Sequence, residues 1–332
     1  MKDYRPESLY KAAGSEVDKA RYPVIDMHSH NQYAESPEEI REWIQTMDEV
    51  GIEKAILLTK ATGAQFDSLH AVFSQWEDRF ELWCGIDYTG YETDENFTEN
   101  AIEELERLHD MGAGGIGELG DKGEGLFYST PTQAFGMHID DPRMSPILDK
   151  AGQLNMPIHV HMAEPIWMYQ EMDSTNDGLM NAYEWRLDNK AGIKSHDQMM
   201  QILENAVRDH PNTTFIAAHM ANSAYDLSNL DRMLDTYPNL YSEIGARYSE
   251  LSQTPRHVAA FINKHQDRIF YGTDMGRSPE MYKTTFKILE TEDEHFYRHD
   301  LFGYHWSLNG FGLEDNVLQK VYRNNALKLL NQ

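Results

Sequence analysis

Cysteine is almost absent from this chain of 332 residues, which contains only Cys84. A single thiol cannot form an intrachain disulfide and cannot build a cysteine-based zinc site. Apolar runs long enough to span a bilayer are also missing, and segment 1–21 is polar, without the apolar region of a signal peptide. We therefore expect a cytoplasmic protein by default, or a periplasmic or secreted one whose signal peptide has been removed.

Positive charge is scarce as well. The chain has 29 Lys and Arg residues against 55 Asp and Glu residues, which gives a formal net charge of −26. Such a surface repels phosphate backbones and anionic lipids, so we expect neither a nucleic acid nor a membrane as a partner. The hydrophobic share of 40% and the charged share of 25% are typical of a globular protein, and we expect its partner to be a small-molecule substrate.

Short apolar runs alternate with amphipathic stretches from Tyr22 onward. The runs predict strands at residues 24–27, 54–59, 81–86, 114–118, 157–161, 213–218, 240–243 and 269–273. The amphipathic stretches predict helices at residues 36–50, 63–78, 96–111, 145–155, 195–210, 224–237, 254–266 and 278–290. Ser36, Ser145 and Ser278 each precede a proline and are predicted to cap their helices. This alternation predicts an α/β protein with a (β/α)₈ TIM barrel, one domain over residues 22–332 after an N-terminal extension over 1–21.

A doubly wound open sheet is the structural alternative. The stretch GAGGIGELG, residues 112–120, contains two overlapping GxGxxG matches, which would suggest a dinucleotide site. These glycines follow a predicted helix and precede a predicted strand, whereas the dinucleotide motif requires a strand, then the glycines, then a helix. We therefore favour the barrel.

Two predicted loops are long, 120–143 after the fourth strand and 164–194 after the fifth. Both follow strands at the face where barrel active sites lie, so they are candidates for the walls or lids of a pocket. The second loop is rich in Trp, Tyr and Met. These side chains could instead pack the loop down or form a subunit contact, which leaves a homo-oligomer open. The segment 294–306 could also fold over the mouth.

Histidines and carboxylates stand at the C-terminal ends of the predicted strands. The stretch PVIDMHSH, residues 23–30, places Asp26, His28 and His30 on alternate positions, which predicts one shared face and a role for Asp26 in orienting a histidine or capping the strand. In a barrel all the strand ends converge on one mouth. The groups expected to meet there are His28, His30, Glu118, His159, His161, His219, Glu243 and Asp274. Imidazoles and carboxylates bind Zn, Mn, Fe and Ni, so the set predicts a divalent metal site.

This order of residues resembles that of the amidohydrolase superfamily. The stretches VIDMHSH, GIGELG, PIHVHMAEP, FIAAHM and IFYGTDM are similar to those of its amidohydrolase-related branch, which also contains decarboxylases and lactonases. The resemblance extends from Tyr22 to the closing KVYRNNALKLL. It implies a set of four metal ligands, namely His28, His30, His161 and Asp274. It also implies that His219 is a further ligand or a catalytic base.

Two positions depart from the pattern of this branch. His159 stands where an apolar residue is usual, and it could reach the metal, a supporting carboxylate or the substrate, or be a hydrogen-bonded histidine of the barrel. Glu118 matches the strand-four glutamate of binuclear relatives such as TatD-type nucleases, whereas decarboxylase-like members have no ligand there. Glu118 could instead pair with Lys122 or orient a histidine. One or two ions therefore remain open, with zinc expected first and Mn, Fe or Ni as alternatives.

An open metal site lowers the pKa of a bound water from ~15.7 to ~7, which makes hydroxide available at neutral pH. Asp274 could accept the proton of that water and pass it to the leaving group, while His219 polarises the scissile carbonyl. We therefore expect hydrolysis of an amide, ester or lactone in a small polar or anionic substrate. Arg247 could bind a substrate carboxylate, or form an ion pair with an acidic side chain.

Non-oxidative decarboxylation is the alternative function, because the same groups could bind a carboxylate and protonate carbon. A barrel that has lost catalysis and serves as a binding protein is a third interpretation. Nuclease activity is disfavoured by the net charge of −26.

Overall fold

A computed structural model describes residues 4–181 and 185–330 of the chain; residues 182–184, part of the second predicted loop, lie outside the described residues. Parallel strands follow one another in chain order. They are β1 (Val24–Ser29), β2 (Ile52–Leu58), β3 (Phe80–Trp83), β4 (Ile116–Asp121), β7 (Ile158–Met162), β8 (Phe215–Ala217), β9 (Leu240–Glu243) and β10 (Ile269–Phe270). Two short strands, β5 (Gly125–Leu126) and β6 (Ala134–Phe135), form an antiparallel hairpin after β4, inside the first predicted loop.

Backbone hydrogen bonds close these strands into a barrel. At the junction of β3 with β4, Cys84 N donates to Gly115 O at 2.9 Å and Gly117 N donates to Cys84 O at 2.7 Å. At the junction of β10 with β1, Met27 N donates to Tyr271 O at 3.0 Å. The predicted (β/α)₈ barrel is therefore confirmed.

Helices cover the outside of the barrel and begin within four residues of the predicted starts. Those that follow barrel strands are α1 (Pro37–Val50), α2 (Gly63–Phe73), α3 (Phe97–Asp110), α4 (Ser145–Gln153), α5 (His196–Asp209), α6 (Ser228–Thr236), α8 (Pro255–Lys264) and α9 (Pro279–Glu290). Four shorter ones are α7 (Tyr248–Leu251), α10 (His299–Phe302), α11 (Asp315–Gln319) and α12 (Asn325–Leu329). Within the described residues, none of the helices has both the length and the apolar character that crossing a membrane requires.

Two of the three predicted serine caps are confirmed. Ser36 accepts a hydrogen bond from Glu39 N at 3.3 Å, and the Glu39 carboxylate accepts one in return from Ser36 N at 3.1 Å, which makes a capping box. Ser278 accepts from Met281 N at 3.2 Å. The prediction for Ser145 is wrong, because this serine is the first residue of α4 and makes no capping hydrogen bond.

Strand β10 is shorter than predicted and ends at Phe270. The reason is that the backbone amides after Phe270 donate to partners outside the sheet. Tyr271 N donates to Val321 O, and Thr273 N donates to the Asp26 carboxylate, each at 2.9 Å. Asp26 also accepts hydrogen bonds from the Ser29 and Thr273 hydroxyls, so it fastens β1 to the end of β10.

The prediction that Asp26 shares a face with His28 is wrong. The pairing of β1 with β2 shifts register between Asp26 and Ser29, which breaks the two-residue alternation there. Asp26 caps the strand end, and the hydrogen bonds around it do not include a histidine ring. The His28 ring instead lies against Glu243 and His159.

Two apolar layers hold the fold. The larger lies between the outer strand faces and the helices. The smaller is formed by the alternate strand positions, namely Ile25, Met27, Ile56, Leu58, Trp83, Ile216 and Phe270, with Ala326 of α12. Helix α12 closes the end of the barrel at which the strands begin, where Asn325 Nδ2 donates to Ile269 O at 2.9 Å. The opposite end is left for polar groups.

The N-terminal segment 4–21 lies against residues 293–305. Ser15 Oγ donates to Asp293 at 2.8 Å, and His299 Nε2 lies 2.8 Å from Pro6 O. The division into an extension over 1–21 and a domain over 22–332 stays a prediction.

Candidate metal centre

The strand ends bring six of the predicted side chains together at the mouth of the barrel. These are His28, His30, Glu118, His161, His219 and Asp274. All except Asp274 are buried, and the Asp274 side chain is 21% exposed at the floor of the open cavity. Its backbone N–H donates to His28 O at 2.9 Å, which fixes the end of the last strand beside the first.

His28 and His30 each use Nδ1 to hold the ring and direct Nε2 inward. His28 Nδ1 lies 3.0 Å from Glu243 Oε1, and His30 Nδ1 lies 2.9 Å from Leu58 O. A carbonyl or carboxylate oxygen only accepts, so both Nδ1 atoms carry the proton, which would leave the Nε2 lone pairs for a cation if one is bound. These Nε2 atoms lie 3.2 and 2.9 Å from the same oxygen of Asp274.

His161 and His219 are held in the same manner, with different nitrogens. His219 Nδ1 lies 2.8 Å from Gly245 O, which leaves the Nε2 lone pair free. His161 Nε2 lies 3.0 Å from Ala163 O, which turns Nδ1 toward Glu118 Oε1 at 2.9 Å. His161 Nδ1 and His219 Nε2 are 3.0 Å apart. Two lone pairs at that distance repel each other unless a proton or a cation lies between them.

Glu118 lies between the two histidine pairs. Its Oε1 is 2.9 Å from His161 Nδ1 and 3.5 Å from His219 Nε2, and its Oε2 is 3.9 Å from His30 Nε2. Burial raises the pKa of this carboxyl, but the imidazoles outweigh burial and hold the pKa well below its usual range. The predicted alternative partner, Lys122, pairs elsewhere. Lys60 lies 3.3 Å from Glu118 Oε2 instead.

Glu243 holds the His28 ring and the backbone of His219 in place. It accepts hydrogen bonds from His28 Nδ1 at 3.0 Å, from His219 N at 2.8 Å and from Gly245 N. Burial raises its pKa, but the His28 ring outweighs burial and lowers the pKa of Glu243 to about 2. Gly272 is required beside it, because a methyl group there would lie 2.5 Å from Glu243 Oε2.

His219 lies in a left-handed turn, residues 218–222, that follows β8. The backbone φ angles from His219 to Asn222 are 59°, 54°, 52° and 50°, a conformation that costs a non-glycine residue about 1–2 kcal/mol. Asn222 offsets this cost, because its Nδ2 donates to Met162 O at 3.0 Å and to Ala163 O at 3.1 Å. The turn therefore joins the end of β7, which carries His161, to His219.

Arg247 is buried at the edge of the mouth, and its guanidinium already has partners. Its Nε donates to Asn222 Oδ1 at 2.7 Å, and its terminal nitrogens lie 3.5 Å from Glu164 and 3.8 Å from Glu250. Lys122 also pairs with Glu164. Arg247 thus forms the ion pairs that the sequence left open, while one edge of its side chain lines the cavity.

His159 lies deeper in the barrel, with its side chain fully buried. Its Nε2 is 3.7 Å from Glu243 Oε1, and neither ring nitrogen has a hydrogen-bond partner. Burial lowers the pKa of His159 to about 3, so the ring is neutral. His159 does not line the cavity at the mouth, and the contacts given for it point to a supporting carboxylate rather than to substrate.

A cavity of about 770 Å³ opens above these groups. Its walls carry Lys60, Lys122, Arg186, Lys190 and Arg247, together with Tyr33, Phe127, Tyr128, Trp185, Phe302 and Tyr304. Both long loops and the segment 294–306 contribute to it, as the sequence predicted. Glu118, Glu124, Glu164 and Asp274 line it as well, so side chains of both charges face the cavity.

Sequence reasoning missed Lys60, Glu164 and the supporting role of Glu243. Lys60 and Glu164 follow the second and fifth barrel strands, so their positions at strand ends were the available signal. A charged side chain just after a strand is also common on exposed loops. Only the contacts in the structure distinguish a residue of the site from a residue of the surface. Glu243 was noticed at its strand end, but its bond to His28 joins β9 to β1, two strands that are not paired with each other.

Comparison with known proteins decides the family. A family model described as Amidohydrolase matches residues 16–332. The chain belongs to the amidohydrolase family. No curated protein sequence matches this amidohydrolase. The predicted resemblance to the superfamily is therefore confirmed.

Solved structures share its fold at low identity. A 2,6-dihydroxybenzoate decarboxylase complexed with 2,6-dihydroxybenzoate is 16% identical, with 94% of this chain and 100% of that chain covered and a TM-score of 0.57. A dihydroxybenzoic acid decarboxylase from Polaromonas sp. JS666, with bound manganese and the inhibitor 2-nitroresorcinol, is 15% identical over 93% and 97% of the chains, with a TM-score of 0.57. A probable 2-pyrone-4,6-dicarboxylic acid hydrolase from Acinetobacter baumannii, with citric acid bound, is 12% identical over 93% and 99%, with a TM-score of 0.52.

The protein is thus a member of the amidohydrolase family, and solved structures that share its fold hold small molecules, in one case together with manganese. The relatives include decarboxylases and a hydrolase, so the fold alone leaves the reaction class open.

Proposed function

We propose that this amidohydrolase is a metal-dependent hydrolase that cleaves an amide, ester or lactone bond in a small anionic substrate. The observation that carries the proposal is the orientation of four imidazoles. Each has one nitrogen held by a carbonyl or carboxylate oxygen and its other nitrogen directed at Glu118 or Asp274.

The donor set fits a divalent ion. His28 Nε2 is buried without a hydrogen-bond partner, and His161 Nδ1 faces His219 Nε2 at 3.0 Å. Neutral imidazoles whose outer nitrogen donates to an oxygen are the usual form of metal-binding histidines. His28, His30, His161, His219, Glu118 and Asp274 would hold the metal. Zinc stays the first prediction for its identity, and manganese, iron and nickel suit the same nitrogen and oxygen ligands.

Glu118 supports a site for two ions. It belongs to two groups of candidate ligands, one with His28 and His30 and the other with His161 and His219. A carboxylate shared by the two groups would help to hold two divalent ions, one at each group. This arrangement favours hydrolysis, because a substrate carboxylate bound at the same point for decarboxylation would be repelled by Glu118.

The residues of the chain then have distinct roles in hydrolysis. A bound divalent ion would supply the charge that polarises the scissile carbonyl and acidifies water. Asp274 would accept the proton of the attacking water as the carbon–oxygen bond forms, and would return it to the leaving nitrogen or oxygen as that bond breaks. His219 Nε2 presents a lone pair, which suits a ligand or a base. Lys60 is the N–H donor beside Glu118 that could stabilise the developing oxyanion.

An isotope experiment tests the reaction class. Protein loaded with Zn²⁺ or Mn²⁺ is incubated in H₂¹⁸O with 2-pyrone-4,6-dicarboxylate or with 2,6-dihydroxybenzoate, compounds that the names of the solved relatives indicate. Incorporation of ¹⁸O into a ring-opened product supports hydrolysis. Release of CO₂ without incorporation of solvent oxygen contradicts the proposal. Asp274→Asn is the matched inactive control for either result.

Decarboxylation is the second candidate function, and the cations of the cavity favour it as much as they favour an anionic substrate for hydrolysis. Lys60, Lys122 and Arg247 line the cavity, and each pairs with a glutamate, so a substrate carboxylate would share them with Glu118 or Glu164. The number of bound ions separates the two candidates further. One ion per chain with Glu118 free of metal would favour the decarboxylase, and two would favour the hydrolase.

A further inference from the structure

His159 is a polar side chain in a place where packing alone favours an apolar one. It is fully buried, and neither of its ring nitrogens has a hydrogen-bond partner. A buried polar group without a hydrogen-bond partner lowers the stability of the folded state, and a leucine would avoid this loss. Such a group in a native structure requires an explanation beyond packing.

The His159 ring faces the carboxylate that holds His28. Its Nε2 is 3.7 Å from Glu243 Oε1, and that same oxygen lies 3.0 Å from His28 Nδ1. The His159 and His28 rings are 4.6 Å apart at 81°. Gly272 closes the far side of the carboxylate, since a methyl group there would lie 2.5 Å from Glu243 Oε2. Glu243 is thus enclosed, with the imidazole on one side.

We infer that His159 is a positioning residue that keeps the Glu243 carboxylate on His28 Nδ1, so that His28 directs its Nε2 lone pair at the metal. The inference rests on the metal centre of the proposed function. Carboxylates that hold a metal-binding histidine, as Glu243 holds His28, typically change the metal affinity by about 10–100-fold, and His159 would act through that carboxylate.

The test measures Co²⁺ and Zn²⁺ binding to protein stripped of metal by a chelator, without substrate. In His159→Leu we expect the Kd for Co²⁺ to rise about 10-fold or more and the visible absorption of bound Co²⁺ to shift. His159→Gln can place an amide N–H near the position of Nε2, so most of the affinity should return. His159→Asn is too short to reach Glu243 and should behave as His159→Leu.

His210→Leu is the matched control. His210, at the C-terminal end of α5, is also buried, but its ring pairs with Asp149 of α4. Its replacement should therefore leave the Kd for Co²⁺ within about 2-fold of wild type. The inference is overturned if the Kd and the spectrum of His159→Leu match those of wild type, or if Gln binds no better than Asn. The comparison of Gln with Asn keeps the test valid if His159→Leu does not fold.

A double-mutant cycle tests whether His159 acts through Glu243. Glu243→Gln should weaken Co²⁺ binding, and adding His159→Leu to it should weaken binding no further. Additive losses would overturn the inference. Failure of the wild-type protein to bind Co²⁺ or Zn²⁺ would instead overturn the proposed metal centre, and the two failures are therefore distinguishable.

Discussion

The two ends of the barrel interior are built from opposite kinds of side chain. Where the strands begin, Ile25, Ile216 and Phe270 pack with residues of α12. Where the strands finish, imidazoles and carboxylates lie within hydrogen-bond or ion-pair distance of one another. The same strands supply both ends, since β1 carries Ile25 and His28 and β10 leads from Phe270 to Asp274. Stability and chemistry are therefore separated along the barrel axis.

This separation has a physical reason. Buried carboxylates and imidazoles lower the stability of a protein unless they are fully paired, so a fold can carry a dense cluster of them only where another region supplies the apolar burial. The lower end, with α12 as its plug, provides that burial. Substitutions at the upper end should therefore change metal binding and turnover, and substitutions at the lower end should change the free energy of unfolding.

The largest effect is expected at the upper end, for Asp274→Asn. The change removes the proton acceptor and the charge that lies 3.2 Å from His28 Nε2 and 2.9 Å from His30 Nε2. Turnover in the isotope assay should fall about 10³-fold or more, because the proton acceptor is lost. Turnover within 10-fold of wild type would contradict the role of Asp274.

At the lower end, Phe270→Ala should show the reverse behaviour. Phe270 is fully buried and stacks on Tyr241 with ring centroids 5.4 Å apart. Its truncation should lower the free energy of unfolding by about 3–5 kcal/mol, measured by urea denaturation. The folded protein should still bind Co²⁺ with the affinity of wild type. A large loss of metal affinity would show that the two ends are coupled.

Glu118→Gln sharpens the account of the upper end. The amide keeps the size of the side chain but bridges two ions poorly. The metal content measured by elemental analysis should therefore fall from two ions per chain to one. Glu81→Gln is the matched control at the lower end, where Glu81 accepts a hydrogen bond from Trp83 Nε1 at 3.0 Å. It should leave the ion count unchanged. Two ions retained in Glu118→Gln would remove the argument for a bridging carboxylate.

The sequence predicted the barrel well because its signals are local. Each strand is a short apolar run, and each helix has an amphipathic period, so the alternation alone indicates the fold. The histidines and carboxylates at strand ends could be assigned to one mouth once the barrel was assumed. Whether each of them binds metal stays a prediction.

The rest depends on contacts between distant parts of the chain. The register shift in β1 turns Asp26 away from His28, and no local pattern indicates it. The pairing of Glu118 with Lys60 rather than Lys122 depends on how β2 and β4 face each other. Ser145 has the same sequence context as Ser36, but its backbone is already helical, so its hydroxyl cannot cap.

The smallest effect is expected for Ser36, which lies near the metal centre but is turned away from it. Ser36 is the N-cap of α1, in the connection that follows β1 at the same end of the barrel as the metal centre. Its hydroxyl caps the helix and has no contact with the cluster. Ser36→Ala should lower the free energy of unfolding by about 1 kcal/mol and leave the Kd for Co²⁺ unchanged. Ser145→Ala is the matched control, because Ser145 makes no capping bond and its loss should cost less than about 0.5 kcal/mol. Equal losses of unfolding free energy in the two variants would mean that the cap is not formed in solution. A changed Kd for Co²⁺ in Ser36→Ala would mean that nearness to the mouth, rather than the direction of the side chain, decides function.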